Sequence, residues 1–165
     1  MLALQITEVK PFMNKLFLGD TFDGFQLSEA VFVTFNTFHI DGSLQKEYYS
    51  SEELEIQQLS QQSWSFWRQL RPFCLSLIKG KHTPLEFKIV FRLAPANVEK
   101  LVAQSQLAVG PSDIDGLFLN LHFRQGALTC TTGSSLRFFT LDKTVEHTWD
   151  EMVKKFLQKQ EIVFC

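Results

Sequence analysis

The sequence predicts an α+β domain. Two β-α-β-β(-β) units form a mainly antiparallel sheet packed on a central kinked helix, followed by a C-terminal amphipathic helix. Three observations predict it. The order strand, helix, strand, turn, strand occurs twice, at about residues 1–49 and 85–141. Leu85–Leu93 sends Leu85, Phe87, Ile89, Phe91 and Leu93 to one face and Glu86, Lys88 and Arg92 to the other, as an antiparallel strand with one wet face does. The stretch Trp64–Lys79 is apolar on nearly every side, which is how a buried helix reads. Residues 1–165 are expected to form a single domain, with a helical insertion at about 51–79 and the last helix at about 143–159.

The elements follow in order. Leu2–Ile6 is a short strand. Thr7 with Glu8 reads as a helix N-cap with an acid in the first turn. Val9, Phe12, Met13, Leu16 and Phe17 then share one helical face, and Gly19-Asp20 ends it. Thr21–Asp41, rich in Phe, Val and Thr, reads as one long or bulged strand, turning at Asp41-Gly42 into a second strand over 43–49. Ser50 and Glu53 have capping-box spacing and open a helix. Trp64–Lys79 follows as the spine, with Pro72 kinking it and Gly80 stopping it. Pro95 suits the first position of a helix carrying Val98, Leu101, Val102 and Leu107 inward. Strands over 117–123, 127–131 and 136–141 form a meander joined at Gln125-Gly126 and Gly133-Ser134. Asp142 or Thr144 caps the last helix, whose stripe is Val145, Trp149, Met152, Val153, Phe156 and Leu157. Ile162–Phe164 is available as a closing strand. Gly42 and Gly126, Leu44 and Leu128, and Phe17 and Leu101 recur at one constant offset, which leaves an internal repeat and a chance recurrence both open.

Composition narrows the function classes. Seventeen Phe stand against two Tyr and three Trp, and a ring without a polar tip belongs in a core. A net charge of -2 gives no global attraction to nucleic acid or anionic lipid. No run reaches the roughly 20 apolar residues of a membrane span, and the first residues lack the pattern of a signal peptide, so a cytoplasmic location without membrane contact is expected. Cys74, Cys130 and Cys165 are odd in number and far apart, which argues against a disulfide framework. The histidines His39, His82, His122 and His147 form no metal-ligand spacing, so neither a metal nor a cofactor is expected.

Thr34–Gly42, Ile78–Phe87 and Cys130–Ser134, together with Leu141–Lys143 and Trp149-Asp150, resemble a family of short clostridial (Firmicutes) proteins described as a domain of unknown function. The resemblance spans nearly the full length. It implies a bacterial, intracellular protein and carries over no catalytic residues. In architecture alone, the doubled β-α-β-β order looks like one domain of a DNA sliding clamp. The helices matching the clamp's DNA-facing pair offer only Lys10, Lys15 and Lys100, against Glu8 and Glu99.

The most basic stretch is Arg68, Arg71, Lys79, Lys81 and His82, which would bind nucleic acid or another anion, with Trp64 or Trp67 available for stacking. The alternative is a wet helix edge followed by a solvated turn. Thr131–Ser135 reads as an anion-binding nest or a seat for a nucleophilic Ser134, but lacks the GxSxG elbow. Asp113-Ile-Asp115-Gly116 lacks the remaining ligands of a calcium loop. His39 and His122 precede turns, and His39 pairs in principle with Asp41. With no constellation of activated groups, the leading expectation is a non-enzymatic binding or interaction module. Its partner would be an unidentified protein or a second copy of the chain. A clamp-like nucleic-acid-associated protein comes second, and a small hydrolase or transferase using Ser134 or His122 last.

Overall fold

A computed structural model describes residues 1–165. Its centre is a six-stranded, wholly antiparallel sheet in the order β1-β6-β5-β4-β2-β3. The strands are β1 (Ala3–Ile6), β2 (Gln26–Val33), β3 (Thr37–Asp41), β4 (Glu86–Arg92), β5 (Ile114–Arg124) and β6 (Ala127–Leu136). Side-chain alternation sorts the sheet into two faces. Leu4, Ile6, Leu27, Ala30, Phe32, Phe87, Ile89, Phe91, Leu119, Leu121, Phe123, Leu128 and Cys130 are buried on one. The other carries Glu29, Lys88, Arg92, Asn120, His122 and Thr129 and faces water. Beyond β1, Gln5 and Cys165 exchange two backbone hydrogen bonds of 3.0 Å, so the C-terminal residues close that edge as the sequence predicts.

The helices α1 (Val9–Phe17), α3 (Trp67–Ile78) and α5 (Thr144–Lys159) send their buried residues into one core with the apolar face of the sheet. The α5 stripe of Val145, Trp149, Val153 and Leu157 is buried, and Asp142 Oδ1 accepts from Thr144 N at 2.9 Å. α2 (Ser51–Ile56) opens with the expected reciprocal box: Ser50 Oγ accepts from Glu53 N at 3.1 Å, and Glu53 Oε1 from Ser50 N at 3.0 Å. α4 (Pro95–Gln104) starts on Pro95 and buries Val98 and Leu101. The β5–β6 hairpin turns at Gln125 and Gly126, whose φ values of 51° and 77° fit the left-handed pair of a tight hairpin turn.

Eight of the 17 Phe are buried, and their rings interlock. Phe22 and Phe25 each stack on Phe91 at 5.6 Å, and Phe87 stacks on Phe123 at 5.2 Å. Phe17 meets Phe32, Phe87 and Trp67 at 5.6–6.3 Å. Aromatic pairs at such separations add about 0.5–1.5 kcal/mol each beyond the area they bury.

Four expectations are corrected. Thr21–Asp41 is not one strand: turns precede the β2–β3 hairpin, whose loop is Thr34–Asn36, closed by Thr34 N donating to Asn36 O at 2.9 Å. Asp41-Gly42 is no hairpin turn, and residues 43–49 form no strand but an isolated bridge at Ser43 and a short 3-10 turn, Lys46–Tyr48. β6 runs unbroken through Gly133-Ser134, with Gly133 paired opposite Phe118 and Ser134 opposite Leu117, so no separate strand forms over 136–141. Trp64–Phe66 is extended rather than helical, its backbone engaged with residues 25–27 and 42–44.

The expected spine also lies differently. α3 begins at Trp67 and buries only Trp67 and Cys74, while Phe73 is 67% exposed. The core-facing sheet surface is the true hub, and α3 covers it from the β2 side. α1 sits deeper, since Phe12, Leu16 and Phe17 are all buried and the Trp67 indole donates to Leu16 O at 2.9 Å. The β-α-β-β order does occur twice, but the pairings of the two halves are not equivalent: β4 pairs with its own β5, whereas β1 pairs with β6 and never with β2.

Candidate functional site

The five basic residues singled out from the sequence fall into two groups. Arg71 forms a two-pronged pair with Asp23, Nε to Oδ1 and Nη2 to Oδ2, both at 2.9 Å. Those hydrogen bonds raise the Arg71 pKa above its ordinary value. The Arg68 guanidinium lies 4.2 Å over the Phe66 ring. Lys79, Lys81 and His82 instead follow the end of α3, seven helical residues or about 10 Å beyond Arg71. There they line a recess of about 420 Å³ with Phe35 of the β2–β3 loop, Leu77, Ile78 and Leu85. Phe35 and Leu85 are 86% and 66% exposed, and no acidic residue lines the recess. The Thr34 hydroxyl beside it is buried and has no hydrogen-bond partner. Neither expected stacking residue reaches this place: Trp67 is buried in the core, and Trp64 lies over Arg92.

The remaining candidates are dispersed. Ser134 pairs opposite Leu117 in the ladder, and its hydroxyl makes no hydrogen bond. His122 Nε2 meets Glu86 Oε1 at 2.7 Å on the wet face, and that bond holds the Glu86 carboxyl below its ordinary pKa. His39 lies 3.5 Å from Glu29 and acts on Asp41 only through space, and β2 and β4 stand between it and His122 on β5. Asp113 Oδ2 accepts from Gly110 N at 2.9 Å, which ties the loop before β5. Burial pushes the Cys74 and Cys130 thiols up to about 12, while Cys165 is exposed. No three His, Cys, Asp or Glu side chains gather as a metal site.

Sequence reasoning missed a second cavity, a groove of about 940 Å³ on the wet face at the opposite end of β4. Two register partners line it, Gln26 of β2 and Arg92 of β4, and Arg92 pairs in turn with Phe118 of β5. The bridge between Gln26 and Phe66 swings Trp64 and Phe66 over this row. Arg92 lies 4.5 Å from the Trp64 ring and 5.2 Å from the Phe118 ring, and its Nη2 donates to Asp115 O at 2.9 Å. Burial lowers its pKa, while the nearby Asp115 opposes that shift. In the sequence Arg92 is one polar residue among three on an alternating strand, and no spacing links it to Gln26 or Trp64. The signal lies only in the pairing.

The chain belongs to a family of unknown function (DUF5721), whose sequence model matches residues 15–165. No curated protein and no solved structure matches it. No helix is long and apolar enough to cross a membrane.

Proposed function

We propose that the protein is a non-enzymatic interaction module, and that its partner is a protein segment combining acidic and apolar side chains. One observation carries the reading. Lys79, Lys81 and His82 rim a recess whose apolar lining, Phe35, Leu77, Ile78 and Leu85, is partly open to water, and no acid neutralises them. Exposed apolar surface is costly to keep unless something covers it, and a basic rim selects an acidic neighbour. The nucleic-acid reading is weaker here. Arg68 and Arg71 lie away from the recess, Arg71 is already paired with Asp23, and no exposed Trp is at hand for stacking.

The probe is a labelled peptide alternating Glu with Leu and Phe, followed by fluorescence anisotropy beside a Lys-for-Glu counterpart and a single-stranded oligonucleotide. The acidic peptide is expected to bind saturably, and Leu85→Asp with Lys81→Glu to weaken it about tenfold, since both the apolar seat and the rim charge are lost. Both positions are exposed, so the fold tolerates the change. The proposal is overturned if the acidic peptide does not bind. It is equally overturned if the oligonucleotide binds more tightly and Arg71→Glu with Lys81→Glu abolishes that binding.

A further inference from the structure

The groove at the other end of β4 is a separate feature, roughly 20 Å along the strand from the recess. Its floor holds two polar groups with unused capacity. Gln26 is only 3% exposed and lines the groove, yet its side-chain amide makes no hydrogen bond within the protein. Its amide atoms are not fully enclosed and open onto the groove, so their hydrogen-bonding capacity is available there. Beside it, Arg92 is half-buried and forms no ion pair within 4.0 Å, the Asp115 carboxylate acting on it only through space; its single hydrogen bond runs from Nη2 to the Asp115 backbone carbonyl. The Trp64 and Phe118 rings hold the guanidinium plane in place, so part of its donor edge is preorganised but unfilled.

The charges around the groove set the ligand's charge. Arg137 Nη2 lies 3.8 Å from Asp115 Oδ1, an exposed pair in which the carboxylate offsets that cation's charge at the groove. Glu99 of α4 stands on the rim and opposes a second negative charge. One unpaired guanidinium beside one amide therefore matches a planar monoanion, and a dianionic phosphate finds too few donors. Trp64 and Phe66 line the same space, with Arg92 over one face of the first ring and Arg68 over one face of the second. We infer that this groove binds a small monocarboxylate with an aromatic or other flat apolar body. Its carboxylate sits on Arg92 and the Gln26 amide, and its body lies against Trp64.

Benzoate, acetate and inorganic phosphate are suitable probes, read by ¹⁵N NMR at the Trp64 indole and the Gln26 side-chain amide. Benzoate is expected to shift both resonances saturably, acetate more weakly, and phosphate least. Arg92→Gln should weaken benzoate about tenfold by removing the charge-assisted fork, with Arg92→Lys intermediate. The Trp67 and Trp149 indole resonances, both from core residues, report whether each variant is folded. Glu99→Gln changes an exposed residue and should tighten benzoate about two- to threefold by lifting a like-charge contact. Benzoate that leaves the wild-type resonances unmoved, or binds Arg92→Gln or Glu99→Gln as it binds wild type, overturns the assignment. Phosphate that outcompetes benzoate overturns the monocarboxylate class.

Discussion

Gly42→Ala tests the junction on which both the insertion and the groove depend. A Cβ at this position would stand 1.8 Å from Leu27 O and 2.6 Å from Leu27 C, which are backbone atoms that no rotamer change can move. The close approach exists because Gly42 N donates to Ser28 O and Gly42 O accepts from Ser65 N, both at 2.9 Å. Making room for a methyl group therefore means parting β2 from residue 42. Overpacking of this kind costs about 1–3 kcal/mol, and each backbone hydrogen bond lost adds about 0.5–1.5 kcal/mol. The expected sum is about 2–5 kcal/mol, a large share of the roughly 5–15 kcal/mol that stabilises a typical domain. Urea unfolding followed by fluorescence measures the loss, and a thermal melt should show Tm falling by about 10 °C at the middle of that range. Gly24→Ala, where an added Cβ meets nothing within 4 Å, is the control and should stay near wild type. Gly42→Ala within about 0.5 kcal/mol of wild type would refute the reasoning, since that is the scatter of neutral surface changes.

Trp67→Phe should cost about 2–4 kcal/mol, from lost ring volume and from the Leu16 carbonyl left without its donor, measurable by the same unfolding curves. Phe73→Ser should change stability by less than about 0.5 kcal/mol, because its ring is mostly in water; a large loss would restore α3 to the centre of the core. A thiol reagent under native conditions should modify Cys165 alone, since burial removes access to Cys74 and Cys130 and disfavours their thiolates. Glu53 and Asp142 are held below their ordinary values of 4.5 and 3.8, Glu53 chiefly by the backbone hydrogen bond from Ser50 and Asp142 by the Thr144 hydroxyl. Because the folded values are the lower ones, this stabilisation is complete above the ordinary values and is lost as pH falls through the depressed ones. Tm should therefore hold between pH 7 and 5 and drop below about 4.5, less steeply in Asp142→Asn.

Local chemistry was legible wherever a residue acts through its near neighbours in sequence. The Ser50–Glu53 box, Pro95 opening α4, the Gln125-Gly126 turn and the α5 stripe all stand where their spacing places them. The α+β class and the antiparallel sheet follow from the same signals, since alternation along a strand already assigns its two faces. Misreadings came where one residue type serves two purposes. Glycine marks turns, but Gly42 is there for a close approach of two backbones, and Gly133 is a ladder residue paired opposite Phe118. Apolar residues mark burial, but Phe35, Phe73 and Leu85 are spread over an exposed rim and a helix edge.

The sequence by itself thus determined the α2 capping box, the Gln125-Gly126 turn, the α5 stripe and the wet and dry sides of the central strands, all set by interactions within a few residues. Only the tertiary structure decided which strands are neighbours, and with that what stands beside Arg92. Register between strands far apart in the chain is chosen by the collective fit of one packed core. Gln26, Trp64 and Arg92 meet because that core aligned β2 with β4 and bridged residue 66 to residue 26, a consequence no local pattern encodes.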